Sequence, residues 1–75
     1  MRTVRFANDE AVRMANNLGL NPQSQYWYHS SQDRRDGSTT HEFWSREEGG
    51  GSASLVLPTS EDWAVVAVLT FVNDH

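Results

Sequence analysis

The sequence predicts an α+β domain: a four- to five-stranded, mostly antiparallel sheet with one amphipathic helix packed on one face, in the order β-α-β-β-β-β. Three observations lead there. Residues 8–18 carry one clean helical period; Tyr26-Trp27-Tyr28-His29 and Phe43-Trp44 are aromatic strand signals on either side of Asp36-Gly37; and Trp63 to Val72 is a valine-dense run without charge or turn residue.

In chain order, Thr3-Val4-Arg5-Phe6 reads as a short strand with Val4 and Phe6 on one side. A helix follows. Asn8 is placed to cap its free amides, Asp9 and Glu10 suit the positive end of its dipole, and Ala11, Met14, Ala15 and Leu18 recur at i, i+3, i+4, i+7. Gly19 stands where a left-handed terminating residue is wanted, Leu20 is positioned to fold back on the last turn, and Asn21-Pro22 closes the exit.

The segments 25–32 and 39–46 form a hairpin about the turn Asp33 to Ser38, with Asp36-Gly37 the expected closing dipeptide and Arg35 opposite Ser38. Any register differing by an even shift keeps the same two faces. One face then holds Trp27, His29, Glu42, Trp44 and Arg46; the other holds Tyr26, Tyr28, Ser30, His41 and Phe43. Both carry large aromatic rings. A half-buried strand pair would show apolar residues on one side only.

Glu47 to Ser52 reads as a flexible glycine-rich loop. Its glycines lack the lysine and the following helix of a phosphate cradle. Ala53 to Pro58 is the next strand. The terminal run divides by period two into Trp63, Val65, Ala67, Leu69, Phe71 and Ala64, Val66, Val68, Thr70, Val72, the pattern of a central strand buried on both sides. A helix competes for this run, since Thr59-Ser60-Glu61-Asp62 after Pro58 resembles a capped acidic first turn, but β-branched valine favours the strand.

Length and composition narrow the functional classes. Residues 1–75 fit a single domain, which at this size buries only about 60% of its unfolded surface. The chain has no cysteine, which excludes disulfides and thiolate metal sites and fits a reducing, cytoplasmic setting. No segment approaches the roughly 20 apolar residues of a membrane span, and no signal-peptide core is visible. The net charge of −4 lacks a basic footprint for nucleic acid. All six basic residues are arginine, and lysine and isoleucine are absent, a skew expected of a GC-rich bacterial genome or of a phage or mobile element within one.

Chemistry is weakly signalled. The candidates are His29, His41 and His75, with Glu42, Asp33 and Asp36 near in sequence. Adjacent His41 and Glu42 point to opposite faces of a strand, the His29/Glu42 pair lacks a nucleophile or oxyanion donor, and the histidines lack zinc-ligand spacing. The expectation is a protein without enzymatic activity, cofactor or metal. One helix cannot cover two aromatic faces, and uncovered aromatic surface marks association sites. The sequence therefore predicts a protein–protein interaction module, binding itself as a homodimer, a larger host protein, or both, in the manner of a phage or mobile-element inhibitor. Trp27, His29, Arg34, Arg35, Trp44 and Arg46 are its expected partner-binding residues. The alternative is a single-stranded nucleic-acid binder that stacks bases on Trp27, Tyr28 and Trp44 beside arginine.

Overall fold

The computed structural model describes residues 2–72. Along the chain lie β1 (Arg2–Arg5), α1 (Asp9–Asn17), β2 (Tyr26–Asp33), β3 (Ser38–Ser45), β4 (Ser52–Pro58), a 3-10 turn (Thr59–Glu61), α2 (Asp62–Val66) and β5 (Thr70–Phe71). The strands make one antiparallel sheet in the order β4-β3-β2-β1-β5. The α+β class expected from the sequence is the class observed.

Helix α1 forms where its caps dictate. Asn8 accepts the Ala11 amide on Oδ1 at 2.8 Å, satisfying one of the free donors of the first turn. At the other end Leu20 donates back to the Ala15 carbonyl at 2.8 Å, a closure that requires Gly19 at φ 76°. Ala11 and Ala15 are buried, with Met14 and Leu18 packed beside them. The small alanines let the helix sit close to the sheet, where Val4, Phe6, Tyr26, Tyr28 and Phe43 complete the core. Phe6 meets Tyr26 edge-on at 5.7 Å, and Tyr28 lies 5.2 Å from Phe43, spacings at which ring quadrupoles attract.

The hairpin closes differently from expectation. Asp33, not Arg35, opposes Ser38, so the connection is the four-residue loop Arg34-Arg35-Asp36-Gly37. The Gly37 amide donates to the Asp33 carbonyl at 2.9 Å, Gly37 takes φ 71°, and Asp33 and Asp36 each accept a backbone amide on Oδ1. These local bonds outweigh a two-residue turn. The register moves by two, so both faces keep the membership assigned from the sequence. The glycine-rich connection begins and ends one residue earlier than anticipated, because β3 ends at Ser45 and Ser52 already belongs to β4.

The terminal run is not a central strand. It begins as α2, turns at Ala67–Val68, and ends in the two-residue β5 at the sheet edge beside β1. Asn73, Asp74 and His75 lie outside the described residues. The helical alternative prevails because Pro58 ends β4 and Thr59–Glu61 starts a turn that carries the chain over the core face. Once there, Val65 and Leu69 point inward at a spacing of four, while Trp63 and Val66 point to solvent at 70% and 43% exposure. Burial on one side satisfies the run better than a strand whose second face has no cover. The order is therefore β-α-β-β-β-α-β, and α1 and α2 both place their buried residues in the same core.

Candidate functional site: the open sheet face

Antiparallel pairing sets directly opposed residues on one side of the sheet. The face turned away from both helices carries Arg5 and Thr3 of β1, Trp27, His29 and Ser31 of β2, Thr40, Glu42 and Trp44 of β3, and Ser52, Ser54 and Val56 of β4. Trp27 stands directly opposite Trp44, and His29 opposite Glu42. Both tryptophans are half-buried and His29 is exposed.

Arg46, just past β3, completes this cluster. Its amide donates to the Gln25 carbonyl at 3.3 Å, which extends the hairpin pairing by one step. Its guanidinium carbon lies 4.4 Å from the Trp27 ring centroid, and Nη1 donates to Thr3 Oγ1 at 3.1 Å. A cation over an indole at an exposed site contributes about 0.5–1 kcal/mol. Four of the six residues expected to bind a partner, Trp27, His29, Trp44 and Arg46, thus share one surface. Arg34 and Arg35 do not join them. They occupy the exposed hairpin tip beyond Asp33, itself six positions along β2 from Trp27, about 20 Å at the rise of a strand. Arg35 is 3.9 Å from Asp33 with its side chain 96% exposed, and Ser38 holds the exposed Asp36 carboxyl below the usual range by donating to it through both hydroxyl and amide.

On the opposite face lies a polar network not anticipated from the sequence. His41 is buried among the core rings, with Nδ1 2.7 Å from the Tyr28 hydroxyl. If Tyr28 donates, the neutral imidazole carries its proton on Nε2, facing Asp62 Oδ1 at 3.3 Å. That second contact lies off the hydrogen-bond line, leaving Nε2 and Oδ1 without a hydrogen-bond partner. Thr39 Oγ1 donates to Asp62 Oδ2 at 3.1 Å and lies 3.0 Å from Thr59 Oγ1. Burial, and secondarily the Asp62 charge, push the Tyr28 phenol above its ordinary value, while Ser30 pulls the other way. The sequence reading grouped His41 with Glu42, Asp33 and Asp36. Its actual partner arrives because Ser38 pairs with Pro58, which sets the start of α2 over Thr39 and His41.

Chemically, tyrosine, histidine and aspartate in line are the parts of a proton relay, but its central member is enclosed. His41 is 1% exposed, and the network fastens α2 to β3. Tyr28 also borders a shallow 340 Å³ groove with Arg2, His29, Ser30, Val66 and Phe71, where the Arg2 guanidinium stacks 3.8 Å from the Phe71 ring centroid. Among the described residues no three histidine or carboxylate side chains gather as a metal ion would need, and no helix is long and apolar enough to cross a membrane.

The fold and this site define a small α+β domain with an open-faced antiparallel sheet. No protein-family model, curated protein or solved structure matches the chain.

Proposed function

We propose that the domain is a non-catalytic protein–protein interaction module that docks a larger folded protein on the open face of its sheet. One observation carries the reading: Trp27 and Trp44 stand directly opposed, with Arg46 over Trp27, on a face to which neither helix contributes core. Tryptophan and arginine combine large contact area with directed hydrogen bonds, so a few of them supply most of the energy of an interface. Holding the rings half-buried and the guanidinium stacked before binding reduces the ordering cost of association. Inhibition by surface contact, the mode expected of a phage or mobile-element inhibitor, needs only such a face.

Single-stranded nucleic acid would also use an open sheet with aromatic rings and arginines. Glu42 on the same face and a net charge of −4 oppose it. Fluorescence anisotropy with single-stranded oligonucleotides at low and high salt separates the two: the interaction module shows no salt-dependent binding.

The direct test uses the wild-type domain and Trp44→Ala as baits in an extract of its source cells. A protein retained in stoichiometric amount by the wild type and lost by Trp44→Ala, with the far-UV circular dichroism of the bait unchanged, supports the reading. Identical retention by both baits overturns it, and so does unfolding of Trp44→Ala, which would make Trp44 an ordinary core residue.

A further inference from the structure

The two edges of the sheet are built in opposite ways. One is β5, only two residues long. The other is β4, seven residues long, whose sequence Ser-Ala-Ser-Leu-Val-Leu-Pro carries no charge and no proline before its last position. Natural edge strands are blunted by shortness, charge, proline or a bulge, because a free row of amides and carbonyls pairs with any other strand. The register of β4 against β3 advances without a break from Trp44↔Ser52 to Ser38↔Pro58, so no bulge interrupts it. Between Ser52 and Leu57 β4 has none of these protections.

Its free groups can be assigned. The Ser45 amide donates to the Gly51 carbonyl at 2.9 Å, and the Thr59 amide to the Gly37 carbonyl at 2.8 Å. In an antiparallel ladder the residues that exchange bonds alternate with those that do not. Odd-numbered positions of β4 therefore turn their peptide groups towards β3, and Ser52, Ser54, Val56 and Pro58 turn theirs outward. Proline lacks only the last of these outward amides.

We infer that β4 is a dimerisation edge: a second copy of this chain adds its own β4 antiparallel to it, giving one continuous ten-stranded sheet. The strand is complementary to itself about Leu55. With Leu55 on the two-fold axis, Ser54 meets Val56 of the second copy and Ser52 meets its Pro58. Each Ser54–Val56 pairing closes a ring of two bonds and each Ser52 amide donates to a Pro58 carbonyl, about six bonds across the axis. The same register sets Leu55 against Leu55 and Ala53 against Leu57 on the core side. These three residues are half-buried and packed at the lateral end of the core, and the second copy would complete their cover. Val56, 59% exposed, gains a neighbour on the other side. No charge on either strand opposes the approach. Because the far edge is two residues long, addition stops at a closed two-fold pair instead of continuing into a fibre. An axis perpendicular to the sheet also sets both open faces on the same side. The inference does not depend on what those faces bind.

Light scattering from low micromolar to near-millimolar concentration tests it. The wild type gives twice the 8.5 kDa mass of one chain at the upper end. Val56→Pro removes an outward amide and leaves the ladder to β3 intact, and it halves that mass with unchanged far-UV dichroism. A charge pair guards against simple misfolding. Ser54→Glu with Val56→Glu in one chain, and Ser54→Lys with Val56→Lys in another, each give monomers, while their equimolar mixture recovers the doubled mass. A wild type that stays at the mass of one chain throughout, or a mixture that fails to recover, overturns the inference. Pairing abolished by Trp44→Ala but kept by Val56→Pro also overturns it, by moving the contact to the open face.

Discussion

The two faces of the β2–β3 hairpin look alike in sequence and behave differently in the fold. One presents Tyr26, Tyr28 and Phe43, all buried; the other presents Trp27 and Trp44, both half-buried. Apolar area does not separate them, since indole is the largest ring. What separates them is whether the polar atoms can be satisfied away from water. The Tyr26 hydroxyl accepts the Asn21 amide at 2.9 Å, and the Tyr28 hydroxyl meets His41 Nδ1 at 2.7 Å, so both tyrosines can be enclosed beneath helices. The tryptophan face offers Arg46, Glu42 and His29 instead, charged or ionisable groups that keep their hydration by staying outside. A core face is recognised by partners for its polar tips, and a recognition face by polar groups that remain wet.

The largest test of this contrast compares truncations directly across the sheet. Phe43→Ala empties a fully buried site and is expected to cost about 3–5 kcal/mol, enough to unfold a domain of this size at room temperature. Trp44→Ala, the next residue in the chain, removes a larger ring but is expected to cost only about 1–2 kcal/mol, because the ring is half in water already. Urea unfolding of the two variants measures both. Equal losses would mean that the open face is a second core.

A smaller effect compares the two histidines. His41→Leu deprives the buried Tyr28 hydroxyl of its His41 partner, at about 1–3 kcal/mol for a buried group left unpaired, while Asp62 keeps its bond from Thr39. Adding Tyr28→Phe removes that stranded hydroxyl and should restore part of the loss. His29→Leu, opposite Glu42 on the exposed side, is expected to change stability by no more than about 0.5 kcal/mol. A neutral His41→Leu would show that the Tyr28–His41 bond does not contribute to stability.

How far the sequence reached can be judged from the same elements. Helix α1 was legible because Asn8, the 11/14/15/18 stripe and Gly19 are local signals that agree with one another. The membership of the two hairpin faces was legible despite a misplaced turn, since period-two alternation survives any even shift. The terminal run was not. Its valines favour a strand locally, and only the position of β4 at the far edge and the uncovered core above β3 make a helix the better use of it. The His41–Asp62 contact failed for the same reason: the two residues are distant in sequence, and what joins them is a strand pairing. Trp63 shows the limit of composition, being the least polar start to a run and yet 70% exposed. Of the expected binding residues, the four that fell on one face did so through alternation, whereas Arg34 and Arg35 were grouped with them by residue type alone, and the length of β2 carries them away.

A small effect at Arg46 isolates the feature that makes the open face specific. Arg46→Ala removes the cation above Trp27 and the donor to Thr3, a loss of about 0.5–1 kcal/mol in stability. Stability alone would not show that the indole has been uncovered, so the informative signal is its fluorescence. Trp63 is exposed and would mask the change; the comparison is therefore made in a Trp63→Phe background, where Trp27 and Trp44 are the remaining emitters. Removal of Arg46 should shift their emission to the red as water reaches the Trp27 ring. Arg46→Lys keeps the charge but not the planar guanidinium that stacks on the ring while reaching Thr3, and should recover only part of the shift. An emission spectrum indifferent to both substitutions would mean that Arg46 does not shield the indole in solution, and the face would then lack the preorganisation on which its proposed binding role depends.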